Sequence, residues 1–287
     1  MTDFTISEFI ARAGDQGRPQ ASDAAFPRGR GLWGAGEACE RRAMRALANF
    51  FRPLVALTLA WAGGARAESV ADIARFHVQV MGGAKALAEL QTVRMTGRVT
   101  AAGRRMTFVM YAARPASVRL EISGGGRVLV QGTDGTNPPW ELDTAARPAR
   151  ARPMAAPAGR AFLADAEFDD PLVAGAARGF VIEDGGAAVR DGTRLLRLLV
   201  TRADALPFSL FVDPETFFVV RREEERAPAA GGVRQIVTRY ADFAPVDRVL
   251  MPFRITVLAD GKVEQETVVE KIEPNAVILP QMFAAPP

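Results

Sequence analysis

The chain is poor in the residues that most enzymes of its length depend on. It contains one cysteine and one histidine. The cysteine, Cys39, lies near the start, so everything after it lacks a disulfide, a thiol nucleophile and a zinc-thiolate site. With His77 as the sole imidazole, a Cys/His pair and an H-E-x-x-H zinc motif are both excluded, and no G-x-S-x-G elbow occurs. Charge of one sign is also scarce where it would matter. The formal net charge is +3, but residues 1–67 hold nine Arg against six acids, leaving 27 basic and 27 acidic residues from Glu68 onward. That balance carries no electrostatic footprint for nucleic acid. No internal repeat breaks the chain into an array.

Residues 1–43 have no sustained apolar period and read as a disordered extension or a start assigned too far upstream. Gly29-Arg30-Gly31-Leu32-Trp33-Gly34 matches G-x-G-x-x-G, but no strand precedes it and no βαβ unit surrounds it, so the motif fails its structural context. Residues 44–67 carry the three parts of a secretory signal peptide in order: Arg45 and Arg52, the apolar run Leu54 to Ala62, and the small-x-small site Ala65-Arg66-Ala67. The run is too short to span a bilayer. Cleavage after Ala67 leaves a mature start at Glu68 with no cysteine behind it for lipidation, and the spacing predicts a single domain over residues 68–287.

Glu68 to Leu90 reads as helix, with a stripe of Val70, Ile73, Ala74, Val78 and Met81 broken at Gly82-Gly83. A period of two follows. Val93, Met95, Gly97 and Val99 alternate with polar residues; Met106, Phe108 and Met110 do the same, then Val118, Leu120 and Ile122. Gly124-Gly125-Gly126 is a hairpin turn, since a strand and not a helix follows it. Residues 143–160 read as a loop, and Ala161 to Phe168 as a short helix ended at Asp170-Pro171. Leu195 to Val200 is apolar at both parities, as in a strand covered on both faces. From Leu206 the chain is a meander: Leu206, Phe208, Leu210 and Val212 alternate, Asp213-Pro214-Glu215-Thr216 turns, and Val249, Met251, Phe253, Ile255 and Val257 give the clearest alternation of all. The count is about ten to twelve strands with few helices, which argues a barrel or sandwich.

Chemistry is thin on this frame. His77 has no carboxylate or nucleophile near it in sequence and reads as structural or surface-exposed. Glu223-Glu224-Glu225, flanked by Arg221-Arg222 and Arg226, reads as a solvated strand end of alternating charge. Paired carboxylates acting as a hydrolase stay open. What the chain has in excess is adaptable apolar bulk, Met and Phe at inward strand positions, which suits a filled core and a ligand cavity alike.

Several motifs in order resemble the outer-membrane lipoprotein carrier family, the LolA- and LolB-like proteins of the Gram-negative periplasm. They are Val212-Asp213-Pro214-Glu215-Thr216, Tyr240-Ala241-Asp242-Phe243 and Val249-Leu250-Met251-Pro252-Phe253-Arg254-Ile255, with Asp134-Gly135 followed by Trp140 upstream. The resemblance implies an unclosed antiparallel β-barrel, a half-barrel, with a few short helices as a lid. It implies a non-catalytic periplasmic monomer that carries lipid or lipoprotein acyl chains, without cofactor or metal, and exchanges them with a membrane-bound donor or acceptor protein. The cavity would be lined by Met95, Met106, Phe108, Met110, Val118, Leu120, Trp140, Phe208, Met251 and Phe253. Arg114, in Arg114-Pro115, would hold the lid by donating to its backbone carbonyls, a task suited to the five donors of a guanidinium. Val118 stands where the carriers place an aromatic. The other functions the resemblance allows are a structural or sensory periplasmic domain that binds protein.

Overall fold

The computed structural model describes residues 69–286, apart from 204 and 227–231. The extension, the signal peptide with its cleavage site, Cys39 and the glycine motif lie outside the described residues.

Two helices open the described chain. Ser69 caps α1 (Val70–Val80), its Oγ accepting from the Asp72 amide. Gly82 ends the first helical segment with φ 122°, and a Cβ there would sit 2.2 Å from the Arg248 carbonyl oxygen, so only glycine fits the turn into α2 (Gly83–Glu89). The sheet then begins with β1 (Thr92–Ala101), β2 (Arg104–Ala113), β3 (Ser117–Gly124), β4 (Arg127–Thr133), β5 (Trp140–Asp143) and β6 (Arg152–Pro153). Helices α3 (Ala156–Asp165) and α4 (Pro171–Ala174) and a 3-10 turn (Gly175–Arg178) interrupt it. It resumes as β7 (Val181–Arg190), β8 (Thr193–Arg202), β9 (Ala205–Val212), β10 (Val219–Arg226), β11 (Arg234–Val246), β12 (Val249–Ala259) and β13 (Lys262–Pro274).

Among the described residues, thirteen strands form one sheet in the order 6-5-4-3-2-1-13-12-11-10-9-8-7. Its ends, β6 and β7, do not pair, so the sheet is an unclosed barrel with helices against one face. Residues 143–160, expected to be a loop, hold β6 and the start of α3 in their second half. Pro157 lies in the first turn of α3, where a missing N–H costs no helical bond, so the helix starts before Ala161.

The helix-covered face splits into two cores. One gathers Met106, Phe108, Met110, Val118, Leu120 and Ile122 under α2 and Phe162 of α3. Gly97 belongs to this half: a Cβ would meet the Val268 carbonyl oxygen at 2.2 Å and the Phe108 ring at 2.9 Å, and the β1–β13 register shifts there. The other core gathers Leu198, Val200, Leu210, Val212 and Tyr240 under Ile73 of α1 and Leu172 of α4. Leu195, of opposite parity to Leu198, is buried on the outer face, but Thr193 and Thr201 on that face are exposed, so the expected two-sided cover of β8 is confined to its start.

Candidate functional site

Against the second half of the sheet lies a cavity of about 510 Å³, within the range of ~300–1,000 Å³ that ligand pockets occupy. Phe208, Leu210, Val219, Tyr240 and Phe243 form its sheet wall, and Phe162 and Phe180 face them. Leu163 and Leu206, both lining residues, are exposed at its rim.

Of the ten residues expected to line a cavity, Phe208 alone lines this one. Met106, Phe108, Met110, Val118 and Leu120 are buried in the first core, and Met95, Met251 and Phe253 pack against it. Trp140 is on the other side of the sheet. It pairs with Gly132, whose missing Cβ leaves room for the indole 2.5 Å from where that atom would stand. Its Nε1 donates to the Phe283 carbonyl at 2.8 Å, so the C-terminal 3-10 turn Pro280–Phe283 covers it.

The polar part of the site is the charged stretch of β10, expected to be solvated. Residues 222, 224 and 226 of β10 share the inward parity, as Arg222 pairs with Leu210 and Glu224 with Phe208. Arg222 and Glu224 are buried, and their side chains bond at 2.9 Å. The expected solvated strand end is thus a buried ladder: strand pleating turns every second charge of Arg-Arg-Glu-Glu-Glu-Arg inward. Burial works against ionisation of Glu224, but Arg222 and Arg226 beside it hold its carboxyl below the usual range. A carboxylate kept ionised in this way is not poised as a general acid.

The ladder is closed from above by α3. Asp165, buried at the last turn of that helix, takes both arms of Arg226 at 2.7 and 3.1 Å and faces Arg222 at 3.6 Å. The next residues continue the pattern. Glu167 receives Arg178 at 3.0 and 3.1 Å and also Arg202. Asp169 pairs with Arg114. Asp170 accepts from the Leu172 amide as the cap of α4 and meets His77 Nε2 at 3.0 Å. Four acids in six residues are each clasped by a base from a different element.

His77 is therefore neither exposed nor remote from a carboxylate. It is 1% exposed, with Nδ1 2.8 Å from the Phe217 carbonyl oxygen and Nε2 on Asp170. Both ring nitrogens face acceptors, so the geometry calls for an imidazolium donating twice. Burial would depress the His77 pKa, but the Asp170 charge and hydrogen bond raise it. Burial likewise opposes ionisation of Asp170, yet His77 brings its pKa from 3.8 down to about 2. With neither nitrogen left to accept a proton, the pair is a structural tie and not a catalytic dyad.

Arg114 donates from Nε to the Leu90 carbonyl at 2.7 Å and from a terminal nitrogen to the Leu87 carbonyl at 2.6 Å, at the end of α2. Its guanidinium lies 4.7 Å from the centre of the Phe168 ring. One side chain thus bridges α2, the connection after α3 and the turn between β2 and β3. Among the described residues, no three His, Asp or Glu side chains converge as a metal site needs, and no helix is long and apolar enough to cross a membrane.

No protein-family model and no curated protein sequence matches the chain. Solved structures do. A DUF1329 family protein from Desulfovibrio piger superposes with a TM-score of 0.50 at 10% identity, covering 76% of this chain and 98% of that one. A domain assigned to outer membrane lipoprotein sorting from Vibrio parahaemolyticus gives 0.49 at 9% identity, over 74% and 95%. A LolA superfamily protein from Nitrosomonas europaea gives 0.45 at 12% identity, over 72% and 96%. At these identities the likeness is one of fold alone.

Proposed function

We propose that this protein is a non-catalytic carrier or binder of lipid or lipoprotein acyl chains, working in the periplasm after cleavage of the leader at Ala67. The observation that carries the reading is the cavity of about 510 Å³ between the sheet and α3, walled by Phe162, Phe180, Phe208, Leu210, Tyr240 and Phe243. The motif resemblance to lipoprotein carriers points the same way. Burial supplies the affinity, at about 0.8 kcal/mol for each methylene removed from water. Release then requires a change in the cavity, since a chain held by burial alone leaves only when its pocket deforms or floods. The elements placed to move are α3 and α4, held by ion pairs beside the apolar contacts of Phe162 and Leu172. Arg114 is the proposed lid contact, because it ties the end of α2 to Asp169.

Native mass spectrometry of protein purified from a periplasmic extract, followed by lipid extraction, tests the reading. Co-purified acyl lipid in near-equimolar amount is expected. Protein that emerges ligand-free and takes up no added acyl lipid overturns it and favours a domain that binds protein partners.

A further inference from the structure

The cavity has a charge balance that depends on one short segment. Five arginines and seven carboxylates line it, and four of the seven carboxylates belong to residues 165–170. Lifting that segment leaves five arginines facing three carboxylates, together with His77, which also lines the cavity. The lining changes from net acidic to net basic. The segment reaches its partners in the way an anionic ligand would: Arg226 grips the Asp165 carboxylate with both arms, a fork geometry that serves a carboxylate or phosphate from any source.

The arginines stand where the apolar wall ends. Arg222 lies 4.3 Å over the Phe208 ring and Arg202 4.9 Å over the Phe180 ring. A chain lying along Phe208 and Phe180 would bring a head group to these guanidinium groups. A lid meant only to seal a hydrocarbon pocket would gain more from apolar packing, because buried ion pairs seldom stabilise better than well-packed hydrophobic groups. Charged clasps do have one advantage. On opening, water solvates both halves of each clasp, so the apolar cost of lifting the segment is confined to Ala166 and Phe168.

We propose that residues 165–170 are a displaceable stand-in for an anionic head group, and that the cavity takes a single-chain amphiphile ending in a carboxylate or phosphate. This rests on the acyl-chain reading above and narrows it. The strap occupies the basic cluster in the empty protein and yields it when the amphiphile enters, so strap and head group compete for Arg202, Arg222 and Arg226.

The test is displacement of the neutral dye N-phenyl-1-naphthylamine from the exported protein by laurate, dodecyl phosphate, dodecanol and inorganic phosphate. Laurate and dodecyl phosphate are expected to bind at least about tenfold more tightly than dodecanol, the gain of one charge-assisted contact. Inorganic phosphate should displace nothing, which separates a head-group site from a free-anion site. The laurate-to-dodecanol ratio should fall several-fold in Arg222→Gln. It should rise by about the same factor in Glu167→Gln, which weakens the competing strap. Equal affinity for laurate and dodecanol in the wild type overturns the inference while leaving the acyl-chain reading intact. Failure of dodecanol and laurate alike overturns both. Should Arg222→Gln not fold, an unchanged ratio in Glu167→Gln overturns the inference on its own.

Discussion

On β2 and β3 the positions facing the helices read Met106, Phe108, Met110, then Val118, Leu120, Ile122, with no polar residue among them. On β9 and β10 they read Phe208, Leu210, Val212, then Arg222, Glu224, Arg226. The two halves of one sheet start from similar strands and differ in that second set. Where the inward residues are all apolar, α2 and α3 pack down and the space fills. Where charges are turned inward they need partners, Asp165 and its neighbours supply them, and the helices are held off far enough to leave a cavity. Apolar supply says where a core is; the polar interruption says where it is left open.

The largest expected effect breaks the comparison at its filled side. Phe108→Ala should cost about 3–5 kcal/mol in a urea or guanidinium titration, as for a large aromatic removed from a closed core. Phe208→Ala, at the edge of an existing cavity, should cost about 1 kcal/mol, because little new void is created. Equal costs would mean that the two halves are packed alike.

A smaller effect sharpens the comparison through the strap. The Asp170 pKa is depressed from 3.8 to about 2 in the folded protein. Its contribution is therefore full above about pH 4 and is lost as pH falls toward 2. For His77 the folded pKa is raised, so its contribution is full below about pH 6.5 and is lost as pH climbs through the raised value. Both are in full between those limits. The stability difference between wild type and Asp170→Asn should shrink by about 2 kcal/mol from pH 5 to pH 2.5, and shrink again on the alkaline side. A difference that is flat across pH would show that the pair is not ionised in the fold.

Arg114→Leu should cost a modest amount of stability, about 1–2 kcal/mol for its charged hydrogen bonds. Its effect on exchange should be larger. The substitution destabilises the empty, clasped form more than the loaded one, so bound chains should release more slowly, as expected when the competent state becomes more populated. Arg119 and Arg104, outside this junction, serve as controls. Release at the wild-type rate would remove the lid role from Arg114.

The fold was largely legible in the sequence because its cues are local. Period-two alternation in Met106 to Met110 and Val118 to Ile122, the Asp260-Gly261 hairpin with φ 50° and 77°, and the Gly82-Gly83 break all act within a few residues. The site was legible only in part. Phe208, which lies on the cavity wall, follows from its alternation, and Arg114, whose lid role is a proposal, from a motif. The strap was missed because its partners lie far off in the chain, Arg226 being 61 residues from Asp165 and His77 93 residues from Asp170. For Arg222, Glu224 and Arg226 the alternation rule had no purchase, since their neighbours at the other parity, Arg221, Glu223 and Glu225, are charged too. Trp140 fits either face of a strand by composition, and what decides its side is the space above Gly132 and the distant Phe283. A signal does exist for the strap: four acids in residues 165–170 after a helix, in a chain whose only histidine and many arginines need partners.

The central claim is that the open half of the sheet, and not the Met-rich half, takes the acyl chain. The most direct measurement is dodecanol displacement of N-phenyl-1-naphthylamine from Phe208→Glu, with far-UV circular dichroism on the same sample. A glutamate there should lower dodecanol affinity by at least about tenfold, since it removes the ring from the apolar wall and puts a carboxylate beside Arg222 in the path of the chain, while the sheet spectrum persists. Wild-type dodecanol affinity in a folded Phe208→Glu protein would contradict the account and move the chain to another part of the molecule.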